Sequence, residues 1–245
     1  MTRFILFAFF ALGAAAAFAS AAAYEEDIFP TSKGNLKITC IGHGTLMLTF
    51  QGKVIHVDPV GEFGDYAVLP QADLILVTHE HGDHFDPVAI AKIRKPSTAL
   101  FLTAKCAEKM KDGVVLKNGD KRTWEGIAVQ AVPAYNIVHE RAPGSPFHPK
   151  GEGNGYVLTI GDKRLYIAGD TENIPEMAAL KGVDIAFLPM NLPYTMTPEM
   201  AAAAAARMLA PKVLYPYHYG NTDASKLVDL LKGEKGIEVR IRALK

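Results

Sequence analysis

Within 245 residues, three histidines and two aspartates crowd into one short run, His79-Glu80-His81-Gly82-Asp83-His84-Phe85-Asp86-Pro87. Neutral imidazole and carboxylate together suit a divalent cation, zinc first, with iron or manganese also compatible. Such a cation makes hydroxide available near neutral pH and polarises a carbonyl or phosphoryl oxygen, which is the chemistry of hydrolysis. The bland alternative is a solvated polar loop, which gives no reason for these residue types at these spacings. The elements around the run must position it. The apolar stretch Leu74 to Val77 reads as a buried strand leading into it. On an extended segment alternate side chains share a face, so His79, His81 and Asp83 are expected to point together. Gly82 permits a turn that brings His84 round. Asp86 suits a helix N-cap and Pro87 the first helical position, so the unit is strand, ligand-rich loop, helix.

His79-Glu80-His81-Gly82-Asp83-His84 resembles the His-x-His-x-Asp-His signature of the metallo-β-lactamase superfamily. The resemblance implies an α+β fold, an αββα sandwich with a one- or two-metal site at one edge. Gly42-His43-Gly44-Thr45 and Val57-Asp58-Pro59 resemble the opening motifs of one branch, which contains ascorbate-6-phosphate-lactonase-like proteins and relatives of the N-acyl-phosphatidylethanolamine phospholipase. In that branch the histidine and aspartate lie beside the metals. Many superfamily members carry a ligand histidine near position 136, where this chain has Asn136. His148-Pro149-Lys150 resembles the segment the branch uses, and Pro149 restricts the backbone of His148. His139 is the other candidate, but Glu140-Arg141 after it suits a solvated surface. Gly169-Asp170-Thr171 resembles the segment of the bridging carboxylate, and His218, at the end of a strand, resembles the last ligand.

The resemblance therefore implies one metal held by His79 and His81 with His148, a second held by Asp83, His84 and His218, and Asp170 between them. Asp83 is further expected to orient the attacking water. His43 and Tyr194 are candidates for stabilising an oxyanion or holding substrate, and Asn136 is a candidate substrate contact. His56, inside a strand, reads as structural.

Strands are expected at Leu36–Ile41, Thr45–Phe50, Lys53–Asp58, Ala99–Leu102, Ile127–Val132, Gly155–Ile160, Lys163–Ala168, Val183–Pro189, Val213–Pro216 and Ile237–Ile241. Helices are expected at Pro87–Ile93, around Cys106, from Thr197 through the alanine run 201–206, and at Ala224–Leu231.

Residues 1 to 23 read as a cleavable signal peptide, with Arg3, an apolar run and the small-residue site Ala19-Ser20-Ala21. Removing Arg3 from 26 basic residues leaves 25 against 26 acidic ones, a net charge of −1. That is no electrostatic footprint for nucleic acid. Residues 24–245 are expected to form one hydrolase domain. Cys40 and Cys106 are the only cysteines. Export permits a bridge between them, although Cys40 reads better as a small buried hydrophobe. The expectation is a periplasmic or secreted metal-dependent hydrolase with two divalent ions, acting on a small-molecule ester, lactone or phosphodiester. The alternative is an exported metal-binding or interaction protein of the same fold without turnover.

Overall fold

A computed structural model describes residues 24–245, so the segment read as a signal peptide lies outside the described residues. The first sheet runs in the order β1 (Glu25–Thr31), β2 (Gly34–Gly42), β3 (Thr45–Phe50), β4 (Lys53–Val57), β5 (Ala72–Leu76), β6 (Arg94–Leu102) and β7 (Val114–Val115). The second contains β8 (Lys121–Trp124), β9 (Ile127–Ala134), β12 (Gly153–Ile160), β13 (Lys163–Ile167), β14 (Ile185–Pro189), β15 (Val213–Tyr217) and β16 (Glu238–Val239), in the order β16-β15-β14-β13-β12-β9-β8. A small hairpin, β10 (Glu140–Ala142) and β11 (Ser145–Pro146), stands apart from both.

Period-2 alternation explains the layers. Leu74 and Leu76 of β5 join Leu165 and Ile167 of β13 in the core between the sheets. Their neighbour Ile75 instead faces a second core with α1 (Pro87–Ile93) and α2 (Ala104–Lys109). Tyr166 faces a third, with the 3₁₀ turn Pro175–Leu180, α3 (Pro198–Ala203) and α4 (Ser225–Leu231). The result is helix, sheet, sheet, helix. Each fully buried Leu, Ile or Phe in these layers contributes about 1.5–3 kcal/mol.

Local signals hold where they are chemically explicit. Asp86 caps α1, accepting from Val88 N at 2.8 Å and Ala89 N at 3.2 Å. Thr197 caps α3 through Met200 N at 3.2 Å. The alanine run is α-helical only to Ala203 and continues as a π-helix, Ala204–Leu209, closed by Ala210 at φ 46°. Ile237–Ile241 shortens to the two-residue β16.

Strand β1 had no expectation, because its polar sequence and Pro30 suit only an edge. It pairs antiparallel with β2 from Glu25↔Cys40 to Thr31↔Gly34. Both cysteines are free, buried thiols in separate cores, which corrects any expectation of a bridge.

Candidate metal centre

Parallel strands deliver most of the site. The end of β5 leads to His79–His84, β13 leads to Asp170 and β15 to His218. This is the edge at which open α/β sheets bind ligands, beyond the carboxyl ends of their strands. His43 comes from the β2–β3 turn, and His218 N donates to His43 O at 3.1 Å, tying that turn to the end of β15. His43, Asp58 and His218 all take left-handed backbone conformations, at φ 52°, 46° and 46°. Such positions cost of the order of 1–3 kcal/mol each and persist when the surroundings demand them.

The His79–Asp83 segment is not extended, which corrects the shared-face expectation. His81 O accepts from His84 N at 3.0 Å and Phe85 N at 2.8 Å, a tight turn. Gly82 is outside the left-handed region and a Cβ there would meet nothing, so the turn does not require glycine. The turn separates the ligands into two groups. His79, His81 and His148 offer nitrogens within 4.8 Å of one another, and so do the donor atoms of His43, Asp83, His84 and His218. Asp170 lies between the groups. Its Oδ2 is 3.2 Å from His148 Nε2, 3.6 Å from His218 Nε2 and 3.8 Å from His79 Nε2. Its Oδ1 is 3.4 Å from His84 Nε2.

Hydrogen bonds behind these side chains set which nitrogen carries the proton. His84 Nδ1 donates to Asp58 Oδ2 at 2.8 Å. Thr78 Oγ1 donates to the same Asp58 oxygen at 2.6 Å, which leaves that hydroxyl to accept from His79 Nδ1 at 3.0 Å. His148 Nδ1 donates to Asn136 Oδ1 at 2.7 Å. In all three rings the nitrogen turned to the site is therefore Nε2, on the Asp170 side. An outer layer of this kind is what orients metal-binding histidines. His84 Nε2, His148 Nε2 and Asp170 Oδ1 are buried without a hydrogen-bond partner. Buried polar atoms are rarely left so, and cations held by the two groups would satisfy them, so the residues fit a metal.

Electrostatics agree. Burial, then neighbouring imidazoles, holds His79 well below the ordinary histidine value. Burial also lowers His81 and His218. Neutral imidazole is the form that binds metal. For His84, burial is outweighed by the carboxylates of Asp170, Asp58 and Asp83, which raise it to about 9. A cation at its Nε2 must displace that proton. Burial raises Asp83 and Asp170, but hydrogen bonds and charge from surrounding histidines overcome it and keep both ionised.

Other expected residues sort clearly. His148 is in the donor group and His139 is not, since His139 Nδ1 lies 2.7 Å from Glu172 Oε1. Asn136 faces protein on every side, which corrects its reading as a substrate contact. Its Oδ1 accepts from His148 N and Nδ1, and its Nδ2 donates to Glu172 Oε1 at 3.1 Å and Tyr194 O at 2.9 Å. Tyr194 is 44% exposed and lines the cleft over the site, of about 270 Å³, with Arg141 and Phe147. His56 is structural, its Nε2 lying 2.9 Å from Pro70 O, and burial lowers it to about 4.

Two contributions lie beyond the expected donor set. His43, expected only as an oxyanion or substrate contact, brings its Nε2 to 3.3 Å from Asp83 Oδ2. Glu172 was not singled out, yet its buried carboxylate accepts from the backbone N–H of Ile137, Val138 and His139, each at 2.7 Å. Its proximity to Asp170, two residues earlier, was the available signal.

Residues 37–218 match a family described as a beta-lactamase superfamily domain. A metal-dependent hydrolase of Thermus thermophilus is 36% identical over 192 residues, covering 75% of this chain and 84% of its own. One of Solibacter usitatus is 33% identical over 227 residues, covering 85% and 96%. A crystal structure of a protein named as a metal-dependent hydrolase, from Parabacteroides distasonis, is 52% identical with a TM-score of 0.86, covering 91% of this chain and 100% of that one. The fold also matches Igni18, a metallo hydrolase of Ignicoccus hospitalis, at a TM-score of 0.71 and 23% identity over 85% and 95% of the two chains.

Proposed function

Because the chain belongs to the beta-lactamase superfamily and is a metal-dependent hydrolase, we propose that it cleaves a small-molecule lactone, other ester or phosphodiester with two divalent ions. His79, His81 and His148 would hold one ion, and Asp83, His84 and His218, with His43 beside them, the other. Asp170 would serve both. One observation carries the reading: the buried, unpartnered His84 Nε2, His148 Nε2 and Asp170 Oδ1 sit where the two groups meet. Zinc suits a nitrogen-rich set best, with manganese or iron as alternatives.

When bound, the ions supply a water whose pKa falls from about 15.7 towards about 7 and a Lewis-acid contact to the substrate oxygen. The chain's own residues do the rest. Asp83 is ionised and faces the cleft, with Oδ2 held 3.3 Å from His43 Nε2 and 3.4 Å from His218 Nε2. Its carboxylate would accept a hydrogen bond from the attacking water and so orient it. His43 Nε2 steadies that carboxylate, and Tyr194 holds the substrate at the rim.

The apolar, small-residue N-terminus supports export to the periplasm or beyond with loss of the first 21–23 residues. N-terminal sequencing of the exported protein should begin near Ala22 to Tyr24, and an intact Met1 there rules this out.

Elemental analysis tests the metal reading, with close to two ions per chain expected. Asp170→Asn should lower metal content and turnover together, and His148→Ala should lose metal where His139→Ala does not. A panel of a lactone, an aryl ester and a bis-aryl phosphate reads the substrate class. Bound metal without turnover of any of them would favour the metal-binding alternative.

A further inference from the structure

Arg141 stands on the β10–β11 hairpin and lines the cleft over the metal centre. Its guanidinium carbon lies 5.3 Å from the Phe147 ring centroid, and Phe147 in turn meets Tyr194 edge-on at 5.0 Å. The stack holds the cation over the cleft, where Arg141 is the only lysine or arginine among the lining residues. Its side-chain hydrogen-bonding partner is His81 Nε2, at 3.2 Å.

His81 presents its two nitrogens to opposite sides. Its Nδ1 is 3.1 Å from His79 Nε2, inside the donor group, and its Nε2 faces Arg141. A histidine that gives the Nδ1 lone pair to a metal carries its proton on Nε2. Arginine has donors only. Two donors then face each other across 3.2 Å, and the group that satisfies both is an oxyanion. The carboxylates of the cleft are committed elsewhere, Asp83 to His43 and His218, and Asp170 to His79, His84, His148 and His218. The planar arginine fork matches carboxylate and phosphate oxygens.

We propose that Arg141 and His81 Nε2–H form an oxyanion subsite, and that the substrate carries a carboxylate or phosphoryl group beside the bond that is cut. This rests on the hydrolase reading above, because Nε2 is protonated in this way when Nδ1 serves the metal. Neutral and anionic versions of one substrate are then distinguished by Arg141. The distinction lies in binding, so it appears in KM.

The test compares 4-nitrophenyl butyrate with 4-nitrophenyl hydrogen succinate on the zinc-loaded protein, as wild type, Arg141→Gln and Arg141→Lys. The ratio of kcat/KM for the anionic over the neutral ester should fall about 10- to 100-fold in Arg141→Gln, as expected for loss of a charged hydrogen bond. KM should carry the change, and Arg141→Lys should restore part of it. Calorimetric titration with succinate and with inorganic phosphate gives a readout independent of turnover. Wild type should bind at least one of them about tenfold more tightly than Arg141→Gln. The anion with the larger penalty names the group. An unchanged ratio and unchanged anion affinity would overturn the subsite. If wild type cleaves neither ester, the ester substrate class is at fault, and the titrations still decide the subsite.

Discussion

Asn136 and His148 are joined twice through one oxygen: Asn136 Oδ1 accepts from His148 N at 2.8 Å and from His148 Nδ1 at 2.7 Å. The amide therefore sets both the backbone position and the ring tautomer of His148. Where the resemblance to the superfamily leads one to look for a ligand, this chain places the residue that aims His148. Asn136→Leu should weaken metal binding about 10- to 100-fold, the usual effect of losing an outer-layer partner. It should also destabilise the fold by about 1–3 kcal/mol, since Glu172 and His148 lose buried bonds. Competition with a calibrated chelator measures the first effect and urea unfolding the second. Unchanged metal affinity would refute the role.

Gly44 is pressed against His84. A Cβ at position 44 would lie 2.6 Å from His84 Cε1 and 3.0 Å from Nδ1. The ring cannot retreat, because Asp58 holds it from behind. Gly44→Ala should displace His84 and reduce bound metal towards one ion per chain while the protein stays folded. Elemental analysis beside circular dichroism reads this, and two full equivalents in a folded variant would contradict it.

Removal of metal should lower thermal stability. The donors come from β5, β13, β15 and the loops around them, so a bound ion ties both sheets together. A ligand at 100 times its Kd stabilises by about 2.7 kcal/mol, which for a domain of this size is on the order of 5–10 °C in Tm. Scanning calorimetry with and without dipicolinate, followed by zinc add-back, measures it. An identical Tm would argue against metal held across the sheets.

Asp27 gives stability a distinct acid dependence. Burial raises its carboxyl, but hydrogen bonds from Arg242 and Tyr215 and the charges of Arg242 and Arg240 outweigh this and bring it below the ordinary value. A carboxyl lowered in the folded state binds fewer protons there than in the unfolded chain. Its contribution is therefore fully present above about pH 4 and is lost as pH falls below it. Asp27→Asn should be less stable than wild type at pH 7, and the gap should narrow by pH 3. Urea midpoints at the two pH values decide it, and a constant gap would show that the carboxylate is not the source.

Local features are legible in the residues alone. Asp86 before Pro87 and Thr197 before Pro198 start helices because a side-chain oxygen needs only the next turn of backbone to cap. The apolar run Leu74 to Val77 reads as a buried strand because only a segment covered on both faces is apolar at every position. The resemblance carried by His79, His81, Asp83 and His84 pointed to a metal for the same reason, since it lies in one short run. The partnerships follow from how the sheets and loops come together. His43 joins Asp83 because the end of β15 bonds back to the β2–β3 turn. Asn136 aims His148, and Arg141 turns from an apparent surface charge into a wall of the cleft, because the β10–β11 hairpin folds over it. Side-chain chemistry is written at each position, but a hydrogen bond or a shared ion requires two atoms within about 3–4 Å. For residues this far apart in the chain, sheet pairing and loop closure set that distance.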